Sequence, residues 1–220
     1  MYRGVGFVMS GVMGVLALAP LIAAAPDPVR VASYFPAEFR EPSEWCPLFR
    51  RLPVIDDIEA EWYPRILMAA DEPSLYAFSR QPHDLGVRAY RVIFIPTFQK
   101  PMIVRLNFWP GGETVLTATR LSGAGGYDPG LPEENAGGVV HKVLTKDEER
   151  RFERLLAAAS NLKQRPIDCT MGLDGWQWIL ESADGGTYRY VNRWSPERGP
   201  EQALGVFMLS LAGWTPQAGS

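Results

Sequence analysis

The stretch "DGWQWILESADGGTYRYVNRW", residues 174–194, decides how the last third of this chain folds. Aromatic and β-branched residues flank an Asp-Gly-Gly segment on both sides, a pattern typical of a β-hairpin. If Asp184-Gly185-Gly186 forms a three-residue loop, Gly186 takes the left-handed position that such a loop requires. The stretch therefore predicts two antiparallel strands, at 174–182 and 187–194.

The loop length fixes which side chains of the hairpin lie opposite one another. The three-residue loop gives an aromatic face that pairs Ser182 with Tyr188, Leu180 with Tyr190, Trp178 with Asn192 and Trp176 with Trp194. A two-residue loop would shift this register by one and is disfavoured because it sets Leu180 and the tryptophans opposite arginines. We expect the aromatic face to pack under C-terminal helices. Alternatively, part of it stays exposed and stacks on a sugar or peptide.

The opposite face of this hairpin carries the candidate polar site. In the same register Glu181 lies opposite Arg189, Gln177 lies opposite Arg193, and Ile179 lies opposite Val191. Such charges usually form a solvated cross-strand network that contributes little stability. If the glycine-rich stretch at 122–138 covers them, they form a small polar site instead. The candidate site residues are therefore Gln177, Glu181, Arg189 and Arg193.

Upstream of the hairpin, the sequence predicts a meander of antiparallel strands. "RAYRVIFIP" from residue 88 and "MIVRLNFW" from residue 102 alternate with a period of two, and "ETVLTATRL" and "VVHKVL" follow. Between the last two lies "SGAGGYDPGLPEENAGG", residues 122–138, which matches neither a dinucleotide fingerprint nor a P-loop. We expect a flexible surface loop there, with a lid over a site as the alternative.

Helical patterns flank the predicted sheet on both sides in sequence. Thr145 and Glu148 form a capping box that opens a helix through Phe152, and Pro200 opens an apolar helix that ends before Pro216. Residues 26–84 form a mostly helical lead-in, with a helix near 56–70 that Pro64 should kink or split. The prediction is one α+β domain at 26–220. Its sheet and C-terminal helices span 85–220, with about six antiparallel strands in a meander plus a C-terminal hairpin. The helices pack on one side of that sheet, and the lead-in covers one edge.

The first 25 residues have the composition of a signal peptide. Arg3 precedes an uncharged run from Gly4 to Ala25, and the small residues Ala23-Ala24-Ala25 suit cleavage after Ala24 or Ala25. An uncleaved anchor is the alternative, since the run is about long enough to span a bilayer. The rest of the chain has no run long enough to span one. These features predict a periplasmic or secreted protein.

Export changes how the two cysteines are interpreted. In an oxidising compartment Cys46 and Cys169 most simply form one disulfide, which closes a loop of more than a hundred residues. The alternative is two buried free thiols. Neither cysteine has neighbours that would make it a nucleophile.

Charge and histidine content exclude several classes of function. The net charge of −3 argues against a nucleic-acid partner, which needs a basic surface. His83 and His141 are the chain's two histidines, and neither has the spacing of a metal ligand. Serine-hydrolase motifs are missing from the sequence. We therefore predict no metal and no cofactor.

The segments "GLDGWQWILE" and "GGTYRYVNRWSP", followed by an apolar helix, resemble a family of uncharacterised exported bacterial proteins. The "FIPTFQKPMIVRL" hairpin and the "GAGGYD" loop extend the similarity to most of the chain from about residue 60. This resemblance implies a shared fold and export. The family has no assigned activity, so no catalytic residues follow from it.

Two hypotheses of function remain from the sequence. The favoured one is a non-catalytic exported domain that binds an envelope protein or a small ligand. The alternative is a secreted hydrolase that acts on a cell-wall or carbohydrate substrate through carboxylates such as Asp174 and Glu181. Seven residues apart on one strand, these two acids would lie on opposite faces, which weakens the pair.

Overall fold

A computed structural model describes Met1 and residues 34–81, 86–135, 137–160, 165–170, 172 and 174–216. The predicted signal peptide lies outside the described residues apart from Met1, and His83 lies outside them too. Within the described part, no helix is both long and apolar enough to cross a bilayer.

The predicted α+β fold with an antiparallel sheet is confirmed. The described residues form a six-stranded sheet, a separate two-stranded sheet and four α-helices. The strands are β1 (Glu44–Cys46), β2 (Arg50–Leu52), β3 (Arg88–Pro96), β4 (Met102–Phe108), β5 (Thr114–Arg120), β6 (Val139–Val143), β7 (Trp176–Asp184) and β8 (Thr187–Trp194). The helices are α1 (Asp57–Ala69), α2 (Leu75–Ser79), α3 (Lys146–Ser160) and α4 (Pro200–Leu211).

The meander and the C-terminal hairpin belong to one sheet, a point that the sequence left open. The strand order is β6-β5-β4-β3-β7-β8, with every neighbouring pair antiparallel. Because β7 pairs along almost the whole of β3, that strand lies in the interior of the sheet. Its residues from Ala89 to Pro96 are all buried.

One face of the large sheet is packed by the two C-terminal helices, as expected. Phe152 of α3 and Phe207 of α4 join a core with Val92, Phe94 and Trp178 of the strands. The capping box at Thr145 is formed, since the Thr145 amide donates to Glu148 Oε2 at 2.8 Å. α4 begins at Pro200, as its position in the sequence predicted.

The N-terminal segment, residues 34–79, covers the opposite face of the sheet. Its predicted place at one edge of the sheet is therefore wrong. Tyr34, Ile55 and Tyr63 are buried against Ile93 and Ile179 in a second core. The reason is that β3 carries apolar side chains on both of its faces. Both faces of that strand therefore require cover. α1 also continues through Pro64 and is not split there.

The hairpin turn differs from the predicted one. Gly185 and Gly186 both have left-handed φ angles, of 53° and 81°, and Asp184 pairs directly with Thr187. The loop therefore has two residues, as in a type I′ turn. Every cross-strand pair moves by one residue, which places Trp178 opposite Arg193 and leaves aromatic side chains on both faces. Because both faces of the hairpin are covered, its aromatic side chains can pack on either face.

Candidate functional site

The structure does not bring the four predicted polar residues together. In the observed register Gln177 and Glu181 lie on the face covered by the N-terminal segment, whereas Arg189 and Arg193 lie on the face of the C-terminal helices. Arg189 is exposed. Arg193 donates to the carbonyls of Pro166 and Arg165 and contacts Glu201. The predicted pairing of Glu181 with Arg189 is wrong, because Ser182 lies opposite Arg189.

Glu181 belongs to a buried ionic cluster of Arg91, Glu181, Glu72 and Arg105. Arg91 Nη2 lies 2.6 Å from Glu181 Oε2, and neither side chain is exposed. Arg91 Nη1 lies 3.2 Å from Glu72 Oε2, which Arg105 Nε also contacts at 2.8 Å. Burial by itself lowers the pKa of Arg91, but the two carboxylates outweigh it and raise that pKa. Arg91 therefore stays charged, and its contacts join β3, β7 and the segment that follows α1.

Tyr188 closes this cluster toward the N-terminal segment. Its hydroxyl donates to Glu181 Oε1 at 2.7 Å, and burial, followed by the charge of Glu181, raises its pKa well above the ordinary value. Glu181 is thus shielded from any substrate. The acid–base pair of Asp174 and Glu181 that the hydrolase alternative offered does not form, because Asp174 is exposed while Glu181 is enclosed.

A different group of residues forms a cleft of about 410 Å³. It lies where the start of α1, residues 167–170, 172 and 174, and strands β7 and β8 meet. Its lining combines carboxylates, amides and aromatic rings. Apolar, small and hydroxyl residues complete the wall. The polar and aromatic lining residues are Asp56, Glu59, Asp168, Asp174, Gln177, Asn192, Trp62, Tyr127 and Trp194.

Glu59 is placed in the cleft by the helix cap of α1. Asp56 is the N-cap and accepts from the Glu59 amide at 2.8 Å, while Glu59 Oε2 accepts from the Asp56 amide at 3.0 Å. This reciprocal pair satisfies two backbone donors of the first turn. The side chain of Glu59 is thereby fixed at the helix start, with its second oxygen directed to other partners.

Those partners are Tyr63 and Asn192. The Tyr63 hydroxyl donates to Glu59 Oε1 at 2.6 Å, and Asn192 Nδ2 donates to the Tyr63 hydroxyl at 3.2 Å and to Glu59 Oε1 at 3.4 Å. Burial raises the pKa of Glu59, and the hydrogen bond from Tyr63 opposes that rise. The cleft therefore contains a carboxyl group that protonates more readily than a solvated glutamate.

Three buried polar atoms of the lining residues have no hydrogen-bond partner among the described residues. They are Trp62 Nε1, Gln177 Oε1 and Asn192 Oδ1. Asn192 is only 6% exposed. An unpaired buried polar atom costs about 1–3 kcal/mol, so such atoms are rare in packed interiors. Three of the five such atoms in the described part of the chain therefore lie at the cleft.

The glycine-rich loop forms part of the rim of the cleft. Gly126 and Tyr127 line it, and the loop is attached to the turn between β3 and β4. The Gly125 amide donates to the Gln99 carbonyl at 2.9 Å and the Gly126 amide to the Thr97 carbonyl at 2.9 Å. A Cβ atom at Gly126 would lie 2.7 Å from that carbonyl oxygen, so glycine is required for this approach. These two hydrogen bonds hold this part of the loop against the turn between β3 and β4.

The disulfide fixes the opposite wall of the cleft. Cys46 and Cys169 are bonded, as predicted, with Cα atoms 5.5 Å apart. Cys169 lines the cleft, and Cys46, the last residue of β1, is completely buried. Next along this wall, Gly172 and Gly175 leave room for the indole of Trp194, which a Cβ atom at either position would contact within 3 Å.

The described part of the chain contains no cluster of three or more histidine, cysteine or acidic side chains that would hold a metal ion. His141 lies on the exposed edge strand β6, away from the cleft residues.

Comparison with protein-family models, with curated proteins and with solved structures gives no match for this chain. Its function is therefore argued from the cleft itself. Of the cleft residues, the sequence had singled out Gln177 and Asp174 as polar candidates, Trp194 in the aromatic face and Cys169 in the disulfide. It missed Glu59, which looks like an ordinary capping residue, and Asn192. A signal for Asn192 was its uncharged amide in a strand predicted to pack against helices, where an amide needs a polar partner.

Proposed function

We propose that this protein is an exported, non-catalytic binding protein that takes a small cationic ligand in the cleft. The observation that carries the proposal is the composition of the lining. Four carboxylates lie among aromatic rings, and none of the described lining residues is lysine, arginine or histidine. Anionic ligands would meet uncompensated negative charge there.

An ammonium group matches this lining in two ways. Asp168 and Asp174 supply opposite charge, and charge-assisted hydrogen bonds to carboxylates are stronger than neutral ones. Trp62 and Trp194 supply indole faces, which attract cations. Buried acceptors such as Gln177 Oε1 offer further hydrogen bonds to a ligand N–H or O–H once the side chain turns toward the cleft.

Three features support the export part of the proposal. The first 25 residues have the pattern of a secretory leader, and the Cys46–Cys169 disulfide is typical of oxidising compartments. The resemblance to exported bacterial proteins points the same way. An envelope location then makes an envelope component or a solute of that compartment the natural ligand.

Thermal unfolding with matched ligands tests the proposal. Glucosamine, glucose and glucuronate share a ring and differ in charge, so they separate the effect of charge from that of shape. A ligand at ten times its Kd stabilises by about 1.4 kcal/mol, which raises Tm by about 3–6 °C in a protein of this size. We expect stabilisation by the amine and none by the acid.

Variants assign any stabilisation to the cleft. Asp174→Asn removes one exposed carboxylate of the lining and should weaken amine binding. Asp147→Asn, on the exposed first turn of α3, removes the same charge outside the cleft and should leave it unchanged. Equal stabilisation by glucose and glucosamine would contradict the cationic specificity. Stabilisation that survives in both variants would contradict the site.

A second candidate, a hydrolase that acts on a cell-wall or carbohydrate substrate, is favoured by the raised pKa of Glu59. A partly buried carboxyl group whose pKa is raised is suited to general acid catalysis. Glu59→Gln keeps a capping residue at the helix start. Release of product by the purified protein, abolished in that variant, would favour the hydrolase over the binding protein.

A further inference from the structure

A second surface, next to the cleft, carries a distinct binding chemistry. The two-stranded sheet and its turn, residues 44–52, project a tip with three exposed apolar side chains. Trp45 is 62% exposed, Leu48 85% and Phe49 47%. Large apolar groups of this exposure, adjacent on one short segment, are typical of an interaction surface.

The fold holds these side chains outward. β1 and β2 pair with Trp45 opposite Arg51 and Cys46 opposite Arg50. Since side chains alternate across a strand, burial of Cys46 in the disulfide turns Trp45 and Arg51 to the opposite face. The tip is therefore presented to solvent by the covalent bond that anchors it.

Other contacts hold the base of the tip in place. Arg165 Nη2 donates to the Trp45 carbonyl at 2.5 Å, and Arg165 Nε lies 3.1 Å from Glu44 Oε2. The Ser43 amide donates to the Leu52 carbonyl at 3.0 Å. These contacts hold in place the hairpin that carries the exposed apolar side chains.

The tip is positively charged on a chain whose net charge is −3. Arg50 and Arg51 are exposed, and neither takes part in an ion pair within the described part of the chain. The one acidic residue of the segment, Glu44, is paired with Arg165. Cationic guanidinium groups therefore flank the apolar side chains without neutralisation.

We propose that this tip docks onto an anionic lipid surface. Tryptophan favours the headgroup region of a bilayer, and arginine is attracted to the negative surface potential of anionic lipids. Leu48 and Phe49, at the turn, would enter the boundary with the acyl chains, as the apolar faces of interfacial elements do. With three apolar residues and two free arginines, the contact is peripheral and reversible, and it loosens as salt screens the charges.

Tryptophan quenching by bromine-labelled lipid tests the proposal on the full chain. Vesicles of brominated phosphatidylglycerol should quench part of the emission of the protein, and vesicles of brominated phosphatidylcholine should quench less. Trp45→Phe removes the reporter but keeps an aromatic ring, so the quenched component should disappear. Trp109→Phe, at a similarly exposed position after β4, is the matched control and should retain it.

Two further variants test what the tip contributes. Leu48→Ser with Phe49→Ser should lower vesicle binding several-fold, whereas Phe98→Ser with Leu131→Ser, at other exposed apolar positions, should not. Arg50→Gln with Arg51→Gln should abolish the preference for anionic vesicles. All variants carry the same N-terminal residues, so differences in vesicle binding among them come from the substituted side chains.

Three results would overturn the inference. The first is quenching that is the same in the Trp45→Phe protein as in the parent. The second is equal quenching by anionic and neutral vesicles. The third is an absence of lipid contact combined with tight binding of polyglutamate through Arg50 and Arg51, which would make the partner an acidic polypeptide. Ligand binding in the cleft is measured separately and is unaffected by any of these outcomes.

Discussion

Arg91 and Glu181 face each other across neighbouring strands β3 and β7, with Arg91 Nη2 2.6 Å from Glu181 Oε2 and both side chains excluded from solvent. The sequence predicts Glu181 opposite Arg189, as part of a polar face of the last hairpin. The position of Arg91 and Glu181 between the sheet and the N-terminal segment makes the pair a structural element. Removal of either charge leaves the other buried.

Arg91→Leu should therefore destabilise the protein by about 3–5 kcal/mol, because Glu181 then stays buried without its partner. The double variant Arg91→Leu with Glu181→Leu should recover part of that loss. Urea unfolding of the parent, both single variants and the double variant gives the coupling energy. A loss below 1 kcal/mol for Arg91→Leu would show that water reaches the pair.

Glu59 should lower the stability of the protein as the pH rises, whereas a carboxylate in an ion pair raises it. Its folded pKa is raised above the unfolded value, so its contribution is fully present below the unfolded pKa and is lost as pH rises through the folded pKa. Glu59→Gln keeps the cap but removes this pH-dependent contribution to stability. The variant should gain stability relative to the parent near pH 7 and lose that advantage below pH 4.

Denaturant unfolding of both proteins across this pH range measures the difference. Glu133, Glu148 and Glu149, whose pKa values are lowered mainly by hydrogen bonds from lysine side chains, act in the opposite direction. They are common to both proteins and cancel. A variant that is less stable than the parent at every pH would show that the charged form of Glu59 is the favoured one.

The disulfide should contribute much of the net stability. It joins residues 123 positions apart, and the chain-entropy model assigns about 4–5 kcal/mol to a loop of that length. Cys46→Ala with Cys169→Ala should lower the free energy of unfolding by that order. Because the bond holds Cys169 in place, its loss should also accelerate hydrogen exchange at residues 165–170. Unchanged exchange there would mean that Arg165 and Arg193 hold the segment without the bond.

Gly205 illustrates packing that overrides helix propensity. A Cβ atom there would lie 2.3 Å from Trp178 Cζ3, in the interface between α4 and the sheet. Alanine favours a helix by about 1 kcal/mol over glycine, whereas overpacking a core costs about 1–3 kcal/mol. Gly205→Ala should lower Tm, and Ser210→Ala on the exposed side of the same helix should not. A rise in Tm for the first variant would show that the tryptophan can move aside.

Local patterns in the sequence determined the strands, the capped helices and the disulfide. Period-two alternation marks β3, β4 and β5, and Thr145 with Glu148 marks the start of α3, because these signals involve neighbours in the chain. Two cysteines leave one possible pairing within the chain. Such features need no knowledge of what packs on them.

The register of the last hairpin and the cleft were decided only by tertiary structure. Both loop lengths were compatible with Asp184-Gly185-Gly186, and the choice depended on whether one or both faces of β7 and β8 are covered. The N-terminal segment covers the second face. It thereby buries Glu181 with Arg91 and brings Glu59 to Asn192, 133 residues away in sequence. Contacts over such separations arise from packing between layers, for which a single sequence carries no periodic signal.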